Sequence, residues 1–261
     1  MESVFKIGTA QFDVANGDIE GNLAIAFDLL EALAEAGAKL AVLPELFSCG
    51  FDNEQIARHA QSTPQVVDRM QQFARDRDMA LAGTLPEADG DRVFNTLYFI
   101  DRGGEIRGTY RKLHLFPLTG EHHYYTAGDE AVGIDTSFGR VGLMICYDLR
   151  FPELARKLFL DGAELFVVSA QWPSPRAAHW QTLIRGRAIE NQAFFICSNR
   201  TGSDGGLDFP GLSAVVGPTG DVLAEAGDAP GTVLCDIDMG EVAAFRQTIP
   251  IREDRRDDIY G

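Results

Sequence analysis

The chain has 261 residues, 45% of them hydrophobic, and a formal net charge of −16. This content can bury one large core or two small ones, and no linker-like Pro/Gly/Ser tract or long charge block divides the chain. We therefore expect a single domain over residues 1–261. The acidic charge argues against nucleic acid as a partner, because nucleic-acid binding relies on clustered Lys and Arg. A small molecule or a second copy of the chain is the expected partner.

The N-terminal stretch MESVFKIGTAQFDV has no basic leader followed by an apolar run, and nowhere do eighteen apolar residues follow one another. We expect a cytoplasmic protein that does not enter a membrane. The cysteines are far apart and lack the C-x-x-C spacing of zinc or redox sites, and the five histidines are scattered. The sequence therefore predicts free thiols and no metal site. The four thiols are Cys49, Cys146, Cys197 and Cys235.

Short apolar runs rich in Val, Ile and Phe alternate along the chain with stretches of helical periodicity. The strand candidates, in chain order, span residues 4–12, 39–45, 79–85, 93–100, 104–112, 139–146, 163–170, 193–199 and 231–238. Strands that alternate with helices indicate an α/β architecture in which helices cover the sheets. Sites in such folds gather at the carboxyl ends of strands.

Two stretches carry a clear helical stripe. Residues 18–38 predict a helix that Gly37 closes, and its apolar face contains Leu23, Ala26, Phe27, Leu30 and Leu33. Residues 176–192 predict a second helix, whose stripe contains Ala177, Trp180, Ile184 and Ala188. Pro175 stands just ahead of it, where a helix tolerates proline.

Three strand candidates lead into a chemically capable residue. AVLP leads into Glu45, IRGTYR into Lys112 and GLMI into Cys146. Taken singly, each residue has an ordinary structural explanation: a loop carboxylate, a solvated ammonium and a buried thiol. Together they favour a site, because a reactive thiol needs a base and an electropositive neighbour.

The segments that contain these residues carry a family resemblance. LPELFSCGF (43–51), YRKLHLF (110–116) and ICYDLRFPE (145–153) resemble, in order and spacing, the three catalytic motifs of the nitrilase superfamily of carbon-nitrogen hydrolases. Residues 179–202 and 217–227 also resemble later segments of that superfamily. The resemblance extends over nearly the whole chain.

The resemblance implies a four-layer αββα sandwich and a catalytic set of Glu45, Lys112 and Cys146. In that set the cysteine attacks an amide carbonyl, the glutamate moves the protons, and a thioester is hydrolysed by water. The lysine and the backbone N–H of Tyr147 would bind the oxyanion. The reaction needs no cofactor.

Further positions acquire roles from the same resemblance. Glu121 falls where many members place a second glutamate that contacts the lysine and the substrate. Trp172 follows a strand and is expected to line the pocket, although core packing explains it equally well. Asp148 and Arg150 are expected to form a structural ion pair that fixes the turn after the cysteine.

Within the superfamily, the combined motifs are most similar to bacterial omega-amidases, which act on 2-oxoglutaramate-like and succinamate-like monoamides. True nitrilases usually continue the cysteine motif with Trp and Glu, where this chain has Tyr147 and Asp148. An N-carbamoyl or simple aliphatic amidase is the alternative within the superfamily. A substrate carboxylate would need a cationic clamp, for which Arg200 and the His122–His123 pair are the candidates.

Two interpretations of Cys146 compete with this one. In the first, the chain is a non-catalytic thiol protein, which predicts that Glu45 and Lys112 lie far from the cysteine. In the second, His114 is the base, as in cysteine proteases. Residues 250–261 are expected to form a C-terminal tail, which in related proteins often packs across a dimer, so a homodimer is expected.

Overall fold

Two six-stranded sheets form the centre of the fold in the computed structural model, which describes residues 3–260. In chain order the strands are β1 (Val4–Gln11), β2 (Ala38–Val42), β3 (Ala80–Asp89), β4 (Arg92–Ile100), β5 (Ile106–Arg111), β6 (Gly133–Thr136), β7 (Gly139–Ile145), β8 (Leu165–Ala170), β9 (Phe194–Asn199), β10 (Thr201–Asp204), β11 (Leu207–Pro210), β12 (Ala214–Val216), β13 (Val222–Glu225) and β14 (Gly231–Asp238). The helices are α1 (Ile19–Glu35), α2 (Ile56–His59), α3 (Thr63–Arg77), α4 (Pro152–Leu160), α5 (Ala177–Asn191), α6 (Gly240–Thr248) and α7 (Asp257–Tyr260).

The two sheets repeat one topology. The first has the order β14-β1-β2-β3-β4-β5 and the second the order β13-β12-β9-β8-β7-β6, while β10 and β11 form a separate hairpin. In each sheet the three strands that pair in parallel, β1 to β3 and β7 to β9, are flanked by antiparallel strands. Because β3 to β5 pair antiparallel in succession, β5 runs in the same direction as β2. The carboxyl ends of β2 and β5 therefore lie at one edge of the first sheet.

Helices cover the outer face of each sheet. Helices α1 and α3 pack on the first sheet, and α4 and α5 pack on the second. The predicted stripes explain this, because Leu23 and Leu30 of α1 and Trp180 and Ile184 of α5 are buried. The fold is thus a four-layer αββα sandwich, as predicted. None of the helices in residues 3–260 has the length and apolar character needed to span a membrane.

The predicted elements differ from the observed ones mainly at their ends and in number. Every strand candidate corresponds to an observed strand, but β2 ends at Val42 instead of continuing to residue 45. Helix α3 was not among the predicted helices, although Val66, Met70 and Ala74 form a buried stripe in it. Strands β6 and β10 to β13 have only three or four residues, too few for a reliable periodicity.

Candidate active site

A pocket opens where several strands of both sheets end. Glu45, Lys112 and Cys146 all line it, directly after or close after β2, β5 and β7. The pocket encloses about 680 Å³ of empty space, including its open mouth. The non-catalytic interpretation predicts that Glu45 and Lys112 lie far from Cys146. That prediction is wrong, because the carboxylate and the ammonium share this pocket with the cysteine.

Cys146 occupies a sharp turn between β7 and a short 3₁₀ turn, Cys146–Arg150. Its φ is +43°, a left-handed conformation that is unusual for a side chain with a Cβ atom. Such strain persists where the surroundings fix the backbone, and it is common at functional sites. The turn places Cys146, a half-buried residue, in the pocket wall.

The Glu45 carboxylate accepts three hydrogen bonds. Its Oε1 accepts hydrogen bonds from Lys112 Nζ at 2.8 Å and from Asn95 Nδ2 at 2.8 Å. Its Oε2 accepts the backbone N–H of Gln171 at 3.0 Å. The next residue, Leu46, has a φ of +44°, and its N–H donates to Thr84 Oγ1. The Glu45 side chain is fully buried, so its direction is fixed by these bonds.

Glu121 lies on the other side of the Lys112 ammonium. Lys112 Nζ lies 2.9 Å from both Oε1 and Oε2 of Glu121, and the backbone N–H of Phe116 donates to Oε2 at 2.6 Å. Lys112 is 1% exposed and both carboxylates are fully buried. Two carboxylates and one ammonium are thus enclosed together, a cluster with one excess negative charge when all three are ionised.

The pKa values of the buried cluster respond to this enclosure. Burial raises the pKa of Glu45, the Lys112 ammonium lowers it in part, and the charge of Glu121 raises it again. Burial by itself would lower the pKa of Lys112, but the charges of Glu121 and Glu45 outweigh it and raise that pKa. Glu45 is therefore a stronger base than an ordinary glutamate, and Lys112 stays a cation.

The surroundings of Cys146 disfavour its thiolate form. Burial raises the pKa of Cys146 well above its ordinary value, and the adjacent Glu45 carboxylate raises it further. Lys112 and the backbone N–H of Gln171 counteract only part of this effect. The cysteine is thus a neutral thiol in the free protein, and it needs a base to become a nucleophile.

Two residues that support Glu45 were not identified from the sequence. Asn95 points from β4 into the cluster, and its Nδ2 is also 3.5 Å from Glu121 Oε1. Gln171 follows β8 and donates through Nε2 to the backbone oxygen of Glu45 at 2.7 Å. Neither belongs to a motif with a charged or nucleophilic group, so only the strand-end position of Gln171 gave a signal.

Tyr147 and Trp172 both line the pocket. Tyr147 is the second residue of the 3₁₀ turn, and its ring contacts those of Phe116 and Phe151. Trp172 is only 3% exposed, and its Nε1 donates to the backbone oxygen of Arg176 at 2.8 Å. The tryptophan therefore serves both as pocket wall and as part of the core.

Three arginines line the pocket. Arg200 is almost completely buried, and it bonds Asp13 at 3.0 Å. Arg150 and Arg176 lie over the rings of Trp172 and Phe116, with 4.7 and 5.3 Å between guanidinium carbon and ring centroid. Of the two clamp candidates, Arg200 is in the pocket wall. The His122–His123 pair is exposed and is not part of that wall.

The predicted ion pair between Asp148 and Arg150 is wrong. Among residues 3–260, Asp148 bonds Tyr110, His114 and the backbone N–H of Ile145 instead. The turn directs the Arg150 side chain to the pocket, where its Nη2 lies 3.2 Å from His179 Nδ1. His114 uses its Nδ1 on Asp148 and is not among the pocket-lining residues, which disfavours it as the base.

Comparison with known proteins identifies the family. The model of the carbon-nitrogen hydrolase family matches residues 6–247. The chain belongs to this family. The 2-oxoglutaramate amidase of Bacillus subtilis is 37% identical to this carbon-nitrogen hydrolase over 256 residues, which cover 97% of the chain and 98% of that protein.

Solved structures agree with the fold. A carbon-nitrogen hydrolase from Helicobacter pylori matches with a TM-score of 0.93 and 28% identity, covering 99% of this chain and 97% of that one. A mutant amidase from Nesterenkonia sp. matches with a TM-score of 0.88 and 28% identity, covering 100% and 97%. Its structure shows covalent addition of the acetamide moiety of fluoroacetamide at the active site cysteine. Like these relatives, this carbon-nitrogen hydrolase is a cysteine-dependent, amide-hydrolysing enzyme.

Proposed function

We propose that the enzyme hydrolyses the terminal amide of small carboxylate-bearing amides of the 2-oxoglutaramate or succinamate type, releasing ammonia. In this proposal Cys146 is the nucleophile, Glu45 the base and acid, and Lys112 the oxyanion-binding cation. Glu121 holds the lysine, while Tyr147 and Trp172 border the substrate. The observation that carries the substrate class is the pair of arginines at the pocket.

Arg150 and Arg176 differ from most other arginines of this acidic chain. Within residues 3–260, neither forms a salt bridge with a carboxylate, whereas Arg200 in the same pocket is neutralised by Asp13. Aromatic rings hold both side chains instead, so their guanidinium groups keep unused donors. A carboxylate on the substrate would supply the missing partner through charge-assisted hydrogen bonds. The naming of a Bacillus subtilis relative as 2-oxoglutaramate amidase supports the same class.

The first half of the reaction forms a thioester. Glu45 removes the thiol proton of Cys146 as the sulfur attacks the amide carbon, and the carbonyl oxygen becomes an oxyanion. The Lys112 ammonium and the backbone N–H of Tyr147 stabilise that charge. Glu45 then gives its proton to the amide nitrogen, the carbon–nitrogen bond breaks, and ammonia leaves the acyl group on the sulfur.

The second half regenerates the thiol. Glu45 takes a proton from a water molecule, whose oxygen attacks the thioester carbon. The second oxyanion uses the same donors, and its collapse breaks the carbon–sulfur bond. Glu45 returns the proton to the Cys146 sulfur, and the carboxylic acid leaves. The raised pKa of Glu45 suits this alternation, because the group must both accept and donate near neutral pH.

The test is ammonia release from a matched panel. The panel contains 2-oxoglutaramate, succinamate, an N-carbamoyl amino acid, butyramide and a simple nitrile, each measured beside Cys146→Ala. Succinamate and butyramide differ only in a carboxylate that replaces a methyl group. Release from the two carboxylate-bearing amides, lost in the variant, is the expected result. Faster turnover of butyramide or of the carbamoyl compound would overturn the substrate class.

The arginines can be tested with the same pair of substrates. Arg176→Gln should raise KM for succinamate about tenfold or more, because one charge-assisted bond is removed, and should leave butyramide turnover within about twofold. Lys39→Gln, which removes an exposed cation outside the pocket, is the matched control. An equal effect on both substrates would show that Arg176 does not read the carboxylate.

We also propose that residues 1–261 form a single domain and that the enzyme is a homodimer. We further propose that it is cytoplasmic and acts without a metal or cofactor. Apolar side chains of the C-terminal segment 250–261 support the assembly, since Ile259 and Tyr260 are 64% and 70% exposed. Sedimentation of the purified chain as a monomer near 28.5 kDa would contradict the homodimer.

A further inference from the structure

A buried carboxylate outside the pocket collects four hydrogen bonds. Asp148 Oδ2 accepts the Tyr110 hydroxyl at 2.7 Å and the Ile145 backbone N–H at 2.9 Å. Its Oδ1 accepts the His114 backbone N–H at 3.2 Å and faces His114 Nδ1 at 2.8 Å. Because a carboxylate only accepts, Nδ1 must carry the proton of this last bond. Asp148 is fully buried, and among residues 3–260 it has no Lys or Arg partner.

These bonds join the two sheets beside the reacting groups. Ile145 and Asp148 lie on either side of Cys146 in the chain, and Ile145 is the last residue of β7 in the second sheet. Tyr110 and His114 flank Lys112, which leaves the first sheet after β5. The Asp148 side chain therefore connects the backbone segment around Lys112 to the backbone segment around Cys146.

The turn needs such a restraint. Cys146 has a φ of +43°, a conformation that costs a residue with a Cβ atom free energy and relaxes unless its neighbours oppose it. The bond from the Ile145 N–H to Asp148 closes the turn around the cysteine. A relaxed turn would move the sulfur and the Tyr147 N–H relative to the Lys112 ammonium.

We propose that Asp148 is a positioning residue that fixes the Cys146 turn against the Lys112 segment, and that His114 serves as a hydrogen-bond donor to it. His114 completes the network from the solvent side, where its side chain is 31% exposed and its ring stacks on Phe151 at 3.6 Å. It neither touches the substrate nor carries a reacting proton. The proposal rests on the proposed roles of Cys146 and Lys112.

Two substitutions of His114 test whether its role is to donate a hydrogen bond to Asp148. In His114→Asn the amide Nδ2 takes the place of the imidazole Nδ1 and can still donate to Asp148. In His114→Leu the donor is lost at similar volume, and the carboxylate loses one of its four partners. We expect His114→Asn to keep kcat within about threefold, and His114→Leu to lower it about tenfold or more with KM changed less than about threefold.

Alkylation of Cys146 by iodoacetamide, followed by peptide mass mapping, gives a readout that needs no substrate. The rate should fall in His114→Leu and stay near wild type in His114→Asn. If the wild type released no ammonia from any amide, the proposed function would fail, while alkylation would still test the positioning role. Asp101→Asn is the matched control, because Asp101 pins Ser137 across the sheets at the opposite end of β7.

Two results would overturn the proposal. Wild-type kcat and alkylation in His114→Leu would show that the bond positions nothing. Equal inactivity of both variants, with unchanged thermal unfolding, would show that the imidazole itself takes part in the chemistry. If His114→Leu does not fold, Tyr110→Phe removes another donor from Asp148 at nearly constant volume. A wild-type rate in that variant would also refute the network, and a loss of kcat with unchanged KM would support it.

Discussion

Lys112 Nζ lies 2.8 Å from Glu45 Oε1, so the proposed oxyanion-binding cation and the proposed base are hydrogen-bonded before any substrate arrives. The ammonium also contacts both oxygens of Glu121 at 2.9 Å. Its three N–H donors therefore already have carboxylate partners. An oxyanion must bind to this same ammonium. The reaction rate therefore depends on the position of the Lys112 ammonium.

Lys112→Met should destabilise the fold by about 3–5 kcal/mol, because it leaves Glu45 and Glu121 buried without their partner. The loss should be larger at pH 8 than at pH 5. Without the ammonium, burial keeps the pKa of Glu45 in the folded state above its value in the unfolded chain, so the folded state is favoured below the unfolded pKa and loses stability as pH rises through the folded pKa. Denaturant unfolding at the two pH values measures this.

A double variant sharpens that experiment. Adding Glu121→Gln to Lys112→Met removes one of the two buried negative charges that remain and should restore part of the stability. A double-mutant cycle quantifies this coupling. Lys39→Met breaks the exposed pair with Asp78 and should cost less than about 1 kcal/mol. Additive effects at Lys112 and Glu121 would contradict the buried cluster.

Because burial raises the pKa of Glu45, the decrease of kcat/KM on acidification should have its midpoint above the ordinary glutamic acid value of about 4.5. The sign follows from the role of Glu45, which must be unprotonated to accept the thiol proton. A profile of kcat/KM against pH measures it, and a midpoint at or below that value would contradict Glu45 as the base.

Asn95 is hydrogen-bonded to the proposed base. Its amide donates to the Glu45 carboxylate at 2.8 Å, and a donated bond favours the charged form. Asn95→Leu should therefore raise the pKa of Glu45 and move the acid limb of kcat/KM to higher pH. Thr96→Val is the matched control, since it removes a bond to Glu87 from the next position of the same strand. An unmoved limb in Asn95→Leu would show that the amide does not tune the base.

The convergence of three reactive side chains on one pocket could be predicted from the sequence. Glu45, Lys112 and Cys146 carry reactive groups and follow apolar runs, so their convergence could be expected from the rule for strand ends. Asn95 escaped prediction because a neutral amide inside a strand looks like any other polar residue. Its function depends on which face of β4 meets the Glu45 loop.

The partner of Asp148 could not be predicted because the direction of a side chain in a turn depends on backbone dihedral angles. The φ of +43° at Cys146 sets how the 3₁₀ turn leaves the strand, and it sends Asp148 inward and Arg150 to the pocket. The resemblance to the family suggested an ion pair between Asp148 and Arg150 that this geometry prevents. The anion-binding role proposed for Arg150 likewise became visible only from its surroundings.

The proposed mechanism requires a thioester at Cys146, which mass spectrometry of the acid-quenched enzyme during succinamate turnover would detect. We predict a mass gain equal to succinamate minus ammonia, located by peptide mapping on Cys146 and absent from Cys146→Ala. The half-buried Cys235 should remain unmodified in the same sample. Steady turnover of succinamate by Cys146→Ala, or an acyl group mapped to another residue, would show that Cys146 is not the nucleophile.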